Sequence, residues 1–263
     1  MKIKQSLQLM QREMEKFLII NVVIIALYLF FNILFTHVIK LEQGNLIVGM
    51  DGMWFIAMFI AGLASHAENF QLLSQCGISR KTYSYASVID GVVTCFKVVL
   101  FMIITTIFVS SVEDLLQLKS SFQLLGGNLS LIDGNVLGDL PWIVILSFTW
   151  LTFNYSFGLA LSSINYRLGK LGKAIFWIIF GLVIIHLLTA FGISLEVILE
   201  PNEVDIEIMN SYLRPLIDLV TTFLRWLLSS KLMTIIFIFC GFIINSLISI
   251  FMSQRTNVRE VKK

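Results

Sequence analysis

Three residues within one apolar run carry the side chains of this sequence that are best suited to chemistry. Asp90, Thr94 and Lys97 are spaced four and three residues apart, so they share one face of a helix. Lys97 lies about eleven residues, or roughly 17 Å, from one end of the run. An unpaired lysine at that depth costs about 2.5–3.5 kcal/mol on membrane-insertion scales. The face either lines a transport path or is a structural pair in which Lys97 reaches back to Asp90, and we favour the pair.

The elements that position these residues are predicted membrane spans. The chain has 263 residues, of which 57% are hydrophobic and only 14% charged, whereas about a quarter of the residues in a soluble domain are charged. Six apolar runs each reach the roughly 20 residues that a helix needs to cross a bilayer. They are approximately Phe17–Ile39, Leu46–Ala64, Ala86–Ser111, Leu140–Ser163, Ala174–Leu195 and Leu232–Met252. We therefore predict an all-α, polytopic membrane protein in which residues 1–263 form a single transmembrane domain.

The distribution of basic residues predicts the orientation of the spans. Residues 1–16 form a basic amphipathic helix that leads directly into the first run. With the N-terminus inside, thirteen lysines and arginines fall in inner segments and five in outer ones; Lys97 within a span completes the total of 19. The positive-inside rule then predicts a multi-pass protein of the cell membrane with both termini in the cytoplasm.

A polar insert, residues 65–81, separates the second and third predicted spans. Its apolar residues form one helical stripe: Ala67, Phe70, Leu73 and Cys76. Gly77 is suited to end this helix, and Ser79 to cap the next one, just before Arg80 and Lys81. The stripe indicates either a docking site for another protein or a helix resting on lipid head groups.

Other patterns are weaker. Residues 211–228 predict an amphipathic helix at the outer membrane surface. A small and polar stripe in the sixth run, formed by Gly241, Asn245 and Ser249, suits close helix packing within one subunit or at a dimer seam. The segments Gly62-Leu-Ala-Ser65 and Gly158-Leu-Ala-Leu161 are similar, but four residues are too few to distinguish a repeat from chance.

The motifs of soluble enzymes are missing from the sequence. The run Arg167-Leu-Gly-Lys-Leu-Gly-Lys-Ala174 lacks the first glycine and the final Ser or Thr of a P-loop. No H-E-x-x-H or G-x-S-x-G occurs, and the three cysteines have no metal-ligand spacing. We therefore expect no catalytic activity, no bound cofactor or metal, and no nucleic-acid partner.

The whole chain resembles the permease subunits of ABC exporters with six spans per half, the type V or "ABC type-two" membrane family. The features in common are the amphipathic N-terminal helix, six spans, the insert between spans two and three, and the outer helix. The run Gly77-Ile-Ser-Arg-Lys-Thr82 is similar to a G-[VI]-S-R-K-T run of such permeases from Gram-positive bacteria.

The resemblance implies that the insert is a coupling helix, on which a separate ATP-hydrolysing subunit docks. The implied docking residues are Glu68, Phe70, Gln71, Leu73, Gln75, Gly77, Ser79 and Arg80. ATP and Mg²⁺ would bind to that ATPase subunit. A second permease, identical or different, and membrane lipid would be the other partners, and the cargo would be a peptide, a bacteriocin or a hydrophobic drug.

Two other classes of function stay open. An ion-coupled secondary transporter would use Asp90 and Lys97 as coupling groups, although clear inverted repeats and spans broken by Gly or Pro are missing. A membrane anchor or sensor would use the insert to bind a regulator. A neighbouring reading frame that encodes a P-loop ATPase would favour the exporter over both.

Overall fold

Six helices and no strand make up the described part of the chain. A computed structural model describes Ile19, Val23 and residues 50–75, 77–115, 136–199 and 214–254. The helices are α1 (Met50–Gln75), α2 (Arg80–Leu115), α3 (Val136–Arg167), α4 (Lys170–Leu199), α5 (Arg214–Leu228) and α6 (Lys231–Gln254). The all-α prediction is therefore confirmed for these residues.

Helices occupy the described parts of five of the six predicted spans. The first predicted span and the N-terminal helix lie outside the described residues, apart from Ile19 and Val23, which are helical. Three segments are long and apolar enough to cross a membrane: Arg80–Thr105, Pro141–Arg167 and Lys231–Gln254. Trp54–Ser65 and Leu171–His186 are shorter apolar helical segments. The chain is thus a membrane protein by the length and composition of its helices, and the count of six spans stays a prediction.

The boundary predicted after the second span differs from the structure. The sequence predicts that the span ends at Ala64 and that a separate amphipathic helix follows it, but α1 runs without a break from Met50 to Gln75. Neither proline nor glycine occurs between Leu63 and Cys76, so nothing in the backbone chemistry interrupts the helix there. The insert is therefore a direct extension of the apolar helix.

The chain divides into two compact units, Met1–Arg167 with Ile238–Lys263, and Leu168–Phe237. In the first unit, α1 and α3 run parallel. Three contacts progress in the same direction along both helices: Phe55 with Trp150, Phe59 with Phe157, and the Ser162 hydroxyl with the Leu63 carbonyl. The buried core beside them contains Trp54, Met58, Cys95, Val98, Val99, Met102, Leu151, Tyr155 and Leu159.

Two glycines set the closeness of α1 and α3. A Cβ atom on Gly62 would lie 2.2 Å from the carbonyl oxygen of Tyr155, and one on Gly158 would lie 2.2 Å from that of Phe59. Any larger residue at either position would collide with backbone, so only glycine permits this approach. We call this pair of contacts the glycine crossing.

Helix α2 packs antiparallel to that pair. Trp54 of α1 contacts Phe101 of α2, whereas Ser65, farther along α1, contacts Tyr83 near the start of α2. On α3, Phe148 contacts Phe96 edge to face. As residue numbers rise along α1, the numbers of their partners on α2 fall. This is expected for consecutive spans joined by the short turn after Gln75.

Helix α6, from Ile238 onward, lies parallel to α3. Gly241 contacts the ring of Phe153, and the hydroxyls of Ser249 and Ser163 are 3.1 Å apart. Two of the three residues of the predicted small stripe in the sixth run therefore pack against α3 of the same chain. The sequence allows this stripe to pack either within one subunit or at a dimer seam, and this contact is the one within a subunit.

In the second unit, α5 packs against α4. Ile217, Leu224 and Leu227 are buried, as the predicted apolar face of residues 211–228 requires. Thr221, a polar residue of the same helix, is also buried. The hydroxyl of Thr234 donates to the carbonyl of Leu227 at 2.9 Å, which fixes the corner between α5 and α6. Residues 211–213 lie outside the described part, and the position of this helix at a membrane surface stays a prediction.

Candidate functional site

The turn between α1 and α2 has the backbone geometry that the sequence predicts. Gly77 has φ of 74°, in the left-handed region that glycine adopts without strain. The Ser79 side-chain oxygen accepts the backbone N–H of Thr82 at 3.1 Å, so Ser79 is the N-cap of α2. Gly77, Ser79 and Lys81 are exposed, and Arg80 is half-buried. The turn thus presents an ordered, partly basic surface at one end of the first unit.

Beneath this turn, three aromatic rings from three helices meet. Phe70 of α1 packs edge to face against Tyr83 of α2, with ring centroids 5.1 Å apart, and against Tyr166 of α3, with centroids 5.4 Å apart. Ile78 packs against the same group. We call these four residues the aromatic junction. Since it joins the end of α1, the start of α2 and the end of α3, a force applied at the turn acts on all three helices.

The predicted docking residues divide into three groups. Gly77 and Ser79 are exposed, and Arg80 is half-buried, so all three are accessible to a partner to some degree. Phe70 is fully buried in the aromatic junction, so its ring offers no exposed apolar surface and acts as an internal packing residue. The remaining four are helical residues of α1 whose side chains lie outside the described part: Glu68, Gln71, Leu73 and Gln75.

A buried tyrosine links the same three helices one layer deeper. The hydroxyl of Tyr155, on α3, lies 3.3 Å from the Ser65 hydroxyl of α1 and 3.4 Å from the Ser87 carbonyl of α2. The Tyr83 hydroxyl donates to the Ser65 carbonyl at 3.0 Å. Ser65, itself buried, therefore receives hydrogen bonds from both α2 and α3. Hydrogen bonds in a buried site strengthen one another because the local dielectric constant is low.

The ring of Tyr155 also fixes the position of α2. A Cβ atom on Gly91 would lie 2.2 Å from a ring carbon of Tyr155, so α2 approaches the ring closely only because residue 91 is glycine. Gly91 precedes Thr94 by less than one turn and directly follows Asp90. The candidate polar face of α2 is therefore held against α3 at its midpoint.

The predicted trio is enclosed in this unit. Asp90 is 5% exposed and Thr94 is 1% exposed, while Lys97 is half-buried. Lys97 lies seven residues, about two helical turns, after Asp90 on the same face of α2. The Oδ1 atom of Asp90 and the Oγ1 atom of Thr94 are buried, and neither has a hydrogen-bond partner among the described residues. Buried polar atoms without partners are uncommon in folded proteins.

Sequence patterns do not identify the tyrosines of this unit, which are Tyr83 and Tyr166 in the aromatic junction and Tyr155 beside Gly91. Tyr83 and Ser87 continue the spacing of Asp90, Thr94 and Lys97 at alternating steps of four and three. That periodicity could have identified one polar face from Tyr83 to Lys97. No local signal marks Tyr155 or Tyr166, because their roles depend on the packing of α3 against helices distant in sequence. Among the described residues, no group of three His, Cys, Asp or Glu side chains could hold a metal ion.

Comparison of the chain with protein-family models, with curated proteins and with solved structures found no match. The functional interpretation therefore depends on the residues and contacts described above.

Proposed function

We propose that this protein is the membrane-spanning permease half of an ATP-driven exporter. A separate ATPase subunit docks on the α1–α2 turn and supplies the energy, because the sequence contains no nucleotide-binding motif. The cargo is a peptide, a bacteriocin or a hydrophobic drug, as the family resemblance implies. A second permease subunit completes the transport path, which lies between the two membrane halves.

The aromatic junction is the observation that best supports this proposal. A docking surface that drives transport must be exposed to its partner and must be rigidly connected to the spans. Gly77, Ser79 and Lys81 meet the first condition. Phe70, packed against Tyr83 and Tyr166, meets the second, because well-packed aromatic contacts resist deformation.

The helix directions support the six-span topology. Helices α1, α3 and the described part of α6 from Ile238 are parallel, whereas α2 is antiparallel. If α3 and α6 both cross the membrane, residues 168–237 must cross it an odd number of times. With its 30 residues, α4 is about 45 Å long, which is enough to make that crossing. Together with the first predicted span, residues 17–39, this makes six.

The orientation of the complex follows from the basic residues. Arg80, Lys81, Arg167 and Lys173 lie at the helix ends that the topology assigns to the cytoplasm. The α1–α2 turn therefore faces the compartment that contains ATP. Both termini lie on that side of the cell membrane.

Co-expression with a P-loop ATPase, where a neighbouring reading frame encodes one, tests the proposal. The two proteins should co-purify, and the ATPase activity of the complex in lipid nanodiscs should rise when candidate peptides or drugs are added. Lys81→Glu reverses an exposed charge on the turn. This variant should therefore reduce recovery of the ATPase. If an unrelated membrane protein recovered the same amount of ATPase, the proposed function would be overturned.

The alternative, an ion-coupled secondary transporter, draws on Asp90. Its carboxylate is buried near the half-buried Lys97, and an ionisable residue inside a membrane is by default a candidate coupling group. Uptake or efflux driven by an imposed pH gradient, in proteoliposomes without any ATPase, would favour this alternative. The absence of such transport, together with ATPase-dependent transport, would favour the exporter.

A further inference from the structure

Two buried oxygen atoms on one face of α2 lack a hydrogen-bond partner in the described part of the chain. They are Asp90 Oδ1 and Thr94 Oγ1. The other buried side-chain oxygens without a partner there belong to Ser147, Asn165, Thr221 and Ser246. Only Asp90 and Thr94 among these residues lie one helical turn apart on the same helix. A single ligand placed between them would satisfy both atoms.

The hydroxyl of Thr94 differs from those of other helical threonines. Four threonines of the described helices donate to the carbonyl four residues earlier in their own helix: Thr105, Thr149, Thr152 and Thr234. The corresponding acceptor for Thr94 is the Asp90 carbonyl, and Thr94 does not make this bond. A helical threonine has two common side-chain positions, because only one of them allows a bond to its own helix. The Thr94 hydroxyl is thus placed for a partner other than the backbone of α2.

The enclosure of the two side chains limits the size of such a partner. Asp90 is 5% exposed and Thr94 is 1% exposed. Gly91, which lies between them in the sequence, is held against the ring of Tyr155 on α3. A lipid tail, a cargo peptide or a second copy of this chain cannot reach atoms that are enclosed in this way. The partner is therefore a small molecule or an ion.

The chemistry of the two groups selects water over a metal ion. A carboxylate accepts hydrogen bonds, whereas a hydroxyl both donates and accepts. Side chains four residues apart have Cβ atoms about 5–6 Å from each other, a gap that one water spans with two hydrogen bonds of about 2.8 Å. A hard cation takes about six oxygen ligands, and this face offers two unbonded side-chain oxygens. Lys97, three residues after Thr94 on the same face, would also repel a cation.

We propose that one water molecule is bound between Asp90 and Thr94, inside the candidate membrane span of α2. The water donates one hydrogen bond to Asp90 Oδ1 and makes a second hydrogen bond with the Thr94 hydroxyl. Buried waters commonly satisfy polar groups that a protein leaves unbonded. The bound water is part of the folded chain, so it depends neither on an ATPase nor on the proposed function.

Solid-state NMR of the full chain in lipid bilayers tests for this water directly. Magnetisation is transferred from water protons to the side-chain carbons of isotopically labelled aspartate and threonine. We expect transfer to Asp90 and Thr94 in spite of their burial. Thr152 is the control and should receive none, because it is 3% exposed and donates to the Phe148 carbonyl at 2.9 Å. If Asp90 and Thr94 also received none, the site would be dry and the proposal would be wrong.

Thermal unfolding in detergent gives a second test, in which the sign of the change decides. Thr94→Val keeps the shape of the side chain and removes the hydroxyl. If a water bonds to this hydroxyl, the melting temperature should fall by about 2–4 °C, the shift expected for loss of one hydrogen bond in a chain of this size. If no water is bound, Thr94→Val removes an unbonded buried hydroxyl. The melting temperature should then rise, which would contradict the proposal.

Two variants and a change of salt complete this test. Thr152→Val should have little effect, because the Phe148 carbonyl keeps its backbone hydrogen bond. Thr94→Ser retains the hydroxyl and should melt close to wild type; a loss as large as that of Thr94→Val would assign the effect to packing and refute the water. The wild type should melt at the same temperature in sodium, potassium and choline chloride. Stabilisation by sodium or potassium would place an ion in the site instead. Failure of the ATPase to co-purify would overturn the proposed function and leave these results unchanged.

Discussion

Gly62 of α1 contacts α3 in the same way that Gly158 of α3 contacts α1. Each glycine lies against the carbonyl three residues before its counterpart and the amide one residue after it: Tyr155 and Leu159 for Gly62, Phe59 and Leu63 for Gly158. The two sets differ by 96 residues throughout, so a local twofold axis relates the helices at the crossing. The short similarity between Gly62-Leu-Ala and Gly158-Leu-Ala therefore marks a packing interface.

Alanine at either glycine should destabilise the protein. The added Cβ would lie 2.2 Å from a backbone oxygen, which no side-chain rotation can relieve. We expect Gly62→Ala or Gly158→Ala to lower the free energy of unfolding by about 1–3 kcal/mol or more. That is the range for overpacking a well-packed interior. Thermal unfolding of the purified protein in detergent measures the effect.

Gly181→Ala is the matched control, because a Cβ there meets no atom within 4 Å. It should leave the melting temperature unchanged or raise it slightly, since alanine favours helix. If all three variants melted at the same temperature, the close approach of α1 and α3 would be wrong.

Removal of the Tyr155 or Tyr83 hydroxyl should loosen the contact between α2 and its neighbours. Tyr155→Phe and Tyr83→Phe each delete a hydrogen bond to Ser65 while keeping the ring, so each should cost about 0.5–1.5 kcal/mol. Tyr83→Phe should cost more, because its bond is shorter. Tyr85→Phe, on the 45% exposed neighbour, should have little effect in the same unfolding assay. Equal losses at all three positions would contradict the network.

Local patterns predicted most helices but not the contacts between them. Gly77 and Ser79 could be assigned because turn and cap chemistry depends on adjacent residues. The stripe that contains Phe70 is compatible with docking because an amphipathic stripe has the same spacing whether it faces a partner or its own chain. The buried position follows from Tyr83 and Tyr166. Tyr166 is distant in sequence, so no periodicity around Phe70 could reveal it.

The prediction for Lys97 depends on its neighbour. Lys97→Met would remove the positive charge that lies two helical turns from the buried Asp90 carboxylate on the same face of α2. Breaking a fully buried ion pair costs about 3–5 kcal/mol. Because Lys97 is only half-buried, we expect the free energy of unfolding to fall by less than that. The double variant Asp90→Asn/Lys97→Met should recover most of this loss, since no charge then remains.

A double-mutant cycle from unfolding in detergent measures this coupling. Additive effects of the two substitutions would show that Asp90 and Lys97 act independently. Stability close to wild type for Lys97→Met, together with abolished transport, would instead assign the lysine to the transport path.

The predicted topology is tested by labelling positions that lie outside the described residues. Single cysteines at Asn128 and Asn202, in a background without native cysteine, should react with an impermeant thiol reagent applied to intact cells. A cysteine at Asn257 should react only after the membrane is permeabilised. The physical reason is the excess of basic residues in the inner segments. Labelling of position 257 in intact cells would reverse the orientation.

The last prediction separates the structural role of Phe70 from docking. Phe70 is fully buried between Tyr83 and Tyr166, so Phe70→Ala removes a large ring from a packed interior. This truncation should cost about 3–5 kcal/mol, and the permease should melt at a lower temperature even without an ATPase. Phe108→Ala, at a 57% exposed position, is the control and should change the melting temperature far less.

Docking should depend on exposed residues of the turn instead. Lys81→Glu should lower recovery of the ATPase in pull-down from detergent while leaving the melting temperature of the permease unchanged, because its side chain is exposed. Phe70→Leu retains most of the buried volume, so it should keep both stability and docking. If Phe70→Ala instead left stability intact and abolished recovery of the ATPase, the ring would contact the partner directly and would not be buried in the aromatic junction.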